Sequence, residues 1–275
     1  MDYKRILTVQ DASCVGQCSM TVALPIISAC GIETAVIPSA VLSTHTAFGS
    51  FTFCDLTEEI PKIKDVWNKE NIKFSAVYTG YLGNKAQVSY VKDIMNECLS
   101  DGGLRIVDPA MADGGRLYHG FDADYVEAMK ELCKAADFIL PNITEACLLT
   151  GIEYRAEYDR DYIESLISEM RSFFDGTIIL TGASPTIGKT GVAVCEKDDI
   201  RFYEHEKISN GCHGTGDVYA SVFTGALMRG KTPFEAAKIA ADFTCECIKY
   251  TNPDKEHWYG VKFEPLLGKL IEMLK

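Results

Sequence analysis

The stretch Asn210-Gly211-Cys212-His213-Gly214-Thr215-Gly216-Asp217 sets a glycine-rich turn against Val218, Val222, Phe223, Ala226 and Leu227, which share one helical stripe. A helix is therefore expected to open at or near Gly216. Glycines ahead of a helix start let backbone N–H groups converge without side chains in the way. The first amides of any helix lack an internal partner, and the dipole there favours negative charge. That combination makes a candidate anion site suited to phosphate. Asp217 is out of place beside an anion unless it takes a proton from an attacking hydroxyl, which makes it the candidate base. Taken alone, the same residues also suit a plain turn and a first-turn Asp that complements the dipole.

The elements that must position this turn alternate in type. Short apolar strands are expected at Arg5 to Gln10, Thr34 to Pro38 with Val41-Leu42 continuing the extended chain, Ser75 to Tyr78, Leu104 to Val107, Asp137 to Leu140 and Thr177 to Leu180. Gly191 to Cys195 and Ile200 to Tyr203 read as a hairpin at a sheet edge. Helices are expected from Ser19 to Cys30, from Leu56, from Asn84 to about Leu99, from Asp122 to Lys134 and from Asn142 to Gly151. Further helices fall at Arg160 to Phe174, Thr232 to about Tyr250 and Phe263 to Leu274. Asn84-Lys85-Ala86-Gln87 and Thr232-Pro233-Phe234-Glu235 look like capping boxes, the second with proline at the first helical position. Strands alternating with helices mean a mostly parallel sheet covered on both faces. No linker, repeat or low-complexity tract interrupts residues 1–275, so one domain is expected. Asp11, Thr46, Tyr81, Asp108, Asn142 and Thr181 fall just past strand ends, where open α/β sheets bind ligands.

Composition excludes several classes. The net charge is −12, with a pI of about 4.9, which disfavours nucleic-acid and anionic-membrane partners. No apolar run approaches a membrane span. The eleven cysteines are scattered without a Cys-x-x-Cys pair, and Met1 to Arg5 does not read as a secretory leader. A reduced cytoplasmic protein is the expectation. Cys212, beside the anion site, is the one thiol placed to be partly ionised, although a structural role is the plainer reading. Gly182 to Thr190 resembles a Walker A loop, but it has five residues between its glycines instead of four and leads into a strand-like run, so the phosphate-loop reading is rejected. The first strand is followed by no Gly-x-Gly-x-x-Gly either.

Across nearly its whole length the chain resembles the ribokinase superfamily, and within it the vitamin B6 kinases. Gly214-Thr215-Gly216-Asp217 is the strongest marker. It is supported in family order by Thr8 to Asp11, Leu42 to Thr46, Thr79 to Gly83, Val107 to Met111 and Leu140 to Glu145. The resemblance implies a ribokinase-like three-layer fold and ATP-dependent phosphorylation of the 5′-hydroxymethyl group of pyridoxal, pyridoxamine or pyridoxine. It implies Asp217 as the base, the amides of Gly214, Thr215 and Gly216 as the anion hole, Asp11, His45, Thr46 and Tyr81 around the pyridine ring, and Asp113, Tyr118, Asn142 and Thr181 on the nucleotide side. By the same likeness Asp108 and Glu145 sit near Mg²⁺, although Asn142 to Glu145 also suits a capping box. It further implies a homodimer, and leaves a monovalent-cation requirement open.

Many members of that family carry Ser where this chain has Asp11, which accepts from a 3-hydroxyl or pyridinium N–H and pairs with an aminomethyl group. That points toward pyridoxamine or pyridoxine over the aldehyde. Hydroxymethylpyrimidine kinases share the fold and the late glycine-rich motif, so pyrimidine phosphorylation stands as the alternative. A non-catalytic sensor on the same fold would be expected to lose the base, and Asp217 is present.

Overall fold

The computed structural model describes residues 3–208 and 212–275, so Asn210 and Gly211 of the glycine-rich stretch lie outside the described residues. In chain order the elements are β1 (Arg5–Ser13), α1 (Met20–Ala29), β2 (Glu33–Leu42), β3 (Phe53–Asp55), α2 (Ile60–Lys69), β4 (Phe74–Thr79), α3 (Lys85–Glu97) and β5 (Leu99–Val107). Next come β6 (Ala112–Asp113), β7 (Arg116–Leu117), α4 (Ala123–Lys134), β8 (Phe138–Ile139), α5 (Ile143–Thr150), α6 (Arg160–Arg171) and β9 (Thr177–Thr181). The chain ends with β10 (Lys189–Glu196), β11 (Asp199–Glu206), α7 (Thr215–Met228), α8 (Pro233–Thr251) and α9 (Leu267–Met273).

Nine strands form one sheet in the order β11-β10-β9-β8-β5-β4-β1-β2-β3. The run from β9 to β2 is parallel, with an antiparallel β3 at one edge and the β10–β11 hairpin at the other. Alternation along the strands divides the core between two faces. Leu7, Val9, Val77, Val107, Ile178 and Leu180 pack under α2 to α6, whereas Ile6, Ala76, Tyr78, Ile106 and Ile179 pack under α1, α7, α8 and α9. This is the expected three-layer arrangement.

Several details differ from the sequence reading. α7 opens at Thr215, next to the expected Gly216, but it is buried on all sides from Val218 to Ala226 instead of along one stripe, because α1, α8 and the sheet enclose it. β1 runs on to Ser13 through an irregularity between Gln10 and Ala12, so Asp11 lies within the strand. At α3 only half the capping box forms: Asn84 accepts from the Gln87 N–H, but buried Gln87 turns away, accepting from the Gly83 N–H and donating to the Ser39 carbonyl. The loop at Asp113-Gly114-Gly115 is a tight hairpin, β6–β7, whose two central glycines have φ of 56° and 78°. Positive φ at both positions is what a two-residue type I′ turn requires.

Candidate active site

The start of α7 forms the centre of the site. Gly214 is its N-cap in the left-handed conformation, φ 79°, and no side chain caps the helix. A β-carbon at Gly214 would stand 1.9 Å from the Gln17 carbonyl oxygen, so position 214 needs glycine for both backbone angle and space. With no side-chain cap among the described residues, the first amides of α7 suit an anion. Residues 214–217 line a cavity of about 430 Å³ at the carboxyl ends of the parallel strands. Asp217 stands in its wall. Burial pushes its carboxyl up to about 7, the Ser19 N–H opposes that rise, and the charge of Asp11 adds to it. A carboxylate poised near neutrality suits proton abstraction.

Across the cavity lie Asp108, just past β5, and Glu145, in the first turn of α5. The capping box at α5 is complete: Asn142 Oδ1 accepts from the Glu145 N–H, and Glu145 Oε2 accepts from the Asn142 N–H. Glu145 Oε1 also accepts from the Met111 N–H at 3.1 Å, tying α5 to the loop that carries the hairpin. Burial raises the Glu145 carboxyl to about 8, and burial together with the neighbouring charges of Glu145 and Asp217 holds Asp108 well above the usual carboxylate range. No Lys or Arg lines the cavity among the described residues. Two mutually repelling carboxyls without a basic partner are a donor set suited to a hard dication held jointly with phosphate oxygens. Among the described residues no three such side chains converge closely enough to hold a metal by themselves.

The cavity also takes in Asp113, Tyr118, Asn142 and Thr181. Asn142 Nδ2 donates to the Ala112 carbonyl at 2.8 Å, fixing the hairpin that carries Asp113. Lining residues not anticipated from sequence are Tyr219 and Thr244, whose buried hydroxyls have no partner among the described residues, and Cys245, whose Sγ lies 3.1 Å from His205 Nδ1. On the helices that carry them, Tyr219 and Thr244 look like ordinary packing residues, so the sequence held no signal for them. Cys212 lines the cavity too, and burial raises its thiol, so it is not the partly ionised group its position suggested. Lys189 is exposed and opens β10, as expected of a residue outside any phosphate loop.

Asp11, His45, Thr46 and Tyr81 are not among the residues lining that cavity. Asp11 is buried and accepts from Ser13 Oγ at 3.1 Å; burial raises its carboxyl against the opposing pull of Ser19 and Ser13. The charges of Asp11 and Asp217 nevertheless act on each other's surroundings, since both raise the Cys18 thiol, which burial pushes up to about 12. His45 Nδ1 accepts from the Ala47 N–H, so Nε2 carries the proton and donates to the Tyr259 carbonyl at 2.7 Å. With both nitrogens engaged, the ring offers a ligand only its face, which lies 5.4 Å from the His213 ring. Thr46 is exposed, and Tyr81 stacks on Phe121 at 5.4 Å.

Known proteins share this fold. The family model of phosphomethylpyrimidine kinase matches residues 34–261. A pyridoxine/pyridoxal/pyridoxamine kinase from Bordetella bronchiseptica is 27% identical over 262 residues, 90% of this chain and 89% of that one. A putative phosphomethylpyrimidine kinase from Bacteroides thetaiotaomicron, solved with pyridoxal, superposes with a TM-score of 0.91 at 33% identity, covering 98% of this chain and 96% of that one. Pyridoxal kinase from Lactobacillus plantarum superposes with a TM-score of 0.91 at 29% identity, covering 99% and 98%. With its family match spanning most of the sheet and the start of α7, the chain belongs to the phosphomethylpyrimidine kinase family.

Proposed function

We propose that the protein is a vitamin B6 kinase, transferring the γ-phosphoryl group of ATP to the 5′-hydroxymethyl group of pyridoxal, pyridoxamine or pyridoxine. The observation that carries this reading is the shared cavity: uncapped helix amides, a carboxyl near neutrality and the Asp108–Glu145 pair face one space. Relatives across the full chain length, which are pyridoxal kinases or hold pyridoxal, support the choice of acceptor.

In this reading Asp217 takes the hydroxyl proton, the freed oxygen attacks the γ-phosphorus, and ADP leaves. The amides of Gly214, Thr215 and Gly216 receive charge on the equatorial phosphate oxygens. Phosphoryl transfer is loose, so alignment and charge stabilisation dominate and a weak base suffices. Asp108 and Glu145 would hold Mg²⁺, which when bound neutralises the β- and γ-phosphate oxygens. Asp113, Tyr118, Asn142 and Thr181 position the nucleotide, with the unpartnered hydroxyls of Tyr219 and Thr244 as further donors. Asp11, His45, Thr46 and Tyr81 surround the vitamer ring. The same reading takes the chain as one kinase domain, working as a cytoplasmic homodimer. In keeping with that location, no helix among the described residues is long and apolar enough to cross a membrane.

Purified protein should consume ATP in the presence of Mg²⁺ and each B6 vitamer, with a phosphate ester detected as product. Turnover of hydroxymethylpyrimidine with none of any vitamer would assign the pyrimidine reaction instead, and ADP binding without turnover of any alcohol would mark a sensor.

A further inference from the structure

Gly16 to Ser19, between β1 and α1, touches the start of α7 twice. The Gln17 carbonyl packs on Gly214 so closely that no β-carbon fits between them. Two residues on, the Ser19 N–H faces the Asp217 carboxylate, and the Ser19 hydroxyl faces Asp11. Ser19 holds φ 49° and ψ −126°, a positive-φ conformation outside the left-handed helical region, which a serine adopts only when its surroundings impose it.

Those surroundings come from far along the chain. Gln17 is held from the other side by residues 257–264. His257 Nε2 donates to Gln17 Oε1 at 2.8 Å, and Gln17 Nε2 donates to Glu264 Oε1 at 3.0 Å. The backbones of Gln17 and Gly260 pair as a parallel bridge. Gly260 permits this approach, since a β-carbon there would stand 2.4 Å from Gln17 Oε1. From inside, Thr21 Oγ1 donates to the Gly16 and Cys18 carbonyls, fixing the turn on α1. None of these contacts involves a residue assigned to substrate, base or metal.

We propose that Gln17 is a positioning residue for phosphoryl transfer: gripped by His257, Gly260 and Glu264, it presses its carbonyl on Gly214 and sets the Ser19 N–H against Asp217. The C-terminal segment thereby fixes where the anion hole and the base sit relative to each other. This rests on the reading that α7 receives the transferred phosphate. A misplacement on the order of 1 Å in such an arrangement costs rate far more than ground-state binding.

The test is steady-state kinetics of Gln17→Ala, His257→Ala and His257→Gln, varying ATP and whichever alcohol the wild-type protein phosphorylates. Gln17→Ala and His257→Ala should lower kcat about tenfold with both KM values within about threefold of wild type. His257→Gln retains a donor for Gln17 Oε1 and should restore most of that loss. A fall in kcat of less than about threefold, a change in KM alone, or a His257→Gln variant no better than His257→Ala overturns the proposal. Should Gln17→Ala fail to fold, the two His257 variants decide by the same readouts. A wild-type protein that takes a pyrimidine alcohol refutes the vitamer assignment while leaving these comparisons intact, so the two failures are told apart.

Discussion

In the proposed reading, the nucleotide and acceptor sides of the site are built on opposite plans. On the nucleotide side, polar groups are left open: uncapped amides at α7, the Tyr219 and Thr244 hydroxyls, and Asp108, whose ionisation is held back by burial and by the charges of Glu145 and Asp217. On the acceptor side they are already engaged: Asp11 with Ser13, and His45 with Ala47 and Tyr259. An open set gains its partners only when phosphate and cation arrive, so its interactions are concentrated on the reaction. An engaged set fixes shape, and discriminates by what fits against it. Substitutions on the first side should therefore change rate, and those on the second should change preference.

The sharpest way to break that division is Asp217→Asn. Loss of the base should lower kcat about 10³-fold while ADP affinity stays within about threefold. In wild type, kcat/KM for the acceptor should climb with pH and level off above about 7, where Asp217 ionises. Stability moves the other way. The folded-state carboxyl is raised from 3.8 to about 7, so the native protein binds this proton more tightly than the unfolded chain, and stability is lost as pH rises between those values. A shift of that size corresponds to roughly 4 kcal/mol as an upper bound, and about half that on a cavity wall. Asp217→Asn should accordingly melt above wild type at pH 8 and level with it below pH 3.8, the unshifted carboxyl value. A variant that keeps turnover would remove Asp217 from the mechanism.

Asp108→Asn should have the next largest effect. Removing one of two carboxyls facing the phosphates should weaken Mg²⁺ about 10- to 100-fold, seen as a rightward shift in the Mg²⁺ dependence of kcat. Relief of repulsion should also lower the Glu145 carboxyl, and the folded protein should gain stability at neutral pH. An unchanged Mg²⁺ dependence would place the cation elsewhere.

A smaller effect is expected at Asn142, whose side chain both caps α5 and anchors the hairpin at Ala112. Asn142→Ala should cost about 1 kcal/mol of stability through the lost cap, measured by denaturant unfolding. Its KM for ATP should rise more than its kcat falls, because the hairpin bearing Asp113 loses its tether.

How far the sequence disclosed these two sides follows from range. The strands, the box at Asn142 to Glu145 and the turn at Gly214 to Asp217 are written in adjacent residues, where period and capping chemistry act directly. The edge strand β3 was not legible, because Phe53–Asp55 carries no alternation of its own and forms only on β2. Gln87 looked like a capping residue and was drawn away by Ser39, 48 positions earlier. The grip of His257 on Gln17 spans 240 positions, and neither residue carries a motif. Tyr219 and Thr244 became visible only as hydroxyls without partners. What escaped the sequence is what only three-dimensional contact defines.

The mildest change, Asp11→Ser, tests the acceptor side most directly. Asp11 is buried beside Ser13 and Ser19, and serine there retains a donor but loses the acceptor that would pair with an aminomethyl group or pyridinium N–H. The ratio of kcat/KM for pyridoxamine to that for pyridoxal should fall about fivefold, the worth of roughly 1 kcal/mol in a charge-assisted bond. The charge of Asp11 also raises Asp217, so its removal should let Asp217 ionise more easily and move the acid limb of the pH profile below about 7. A changed vitamer ratio with an unmoved limb would confine Asp11 to recognition. A moved limb with the ratio unchanged would make it a partner of the base alone, and the contrast between a rate-setting and a preference-setting side would fail at its boundary.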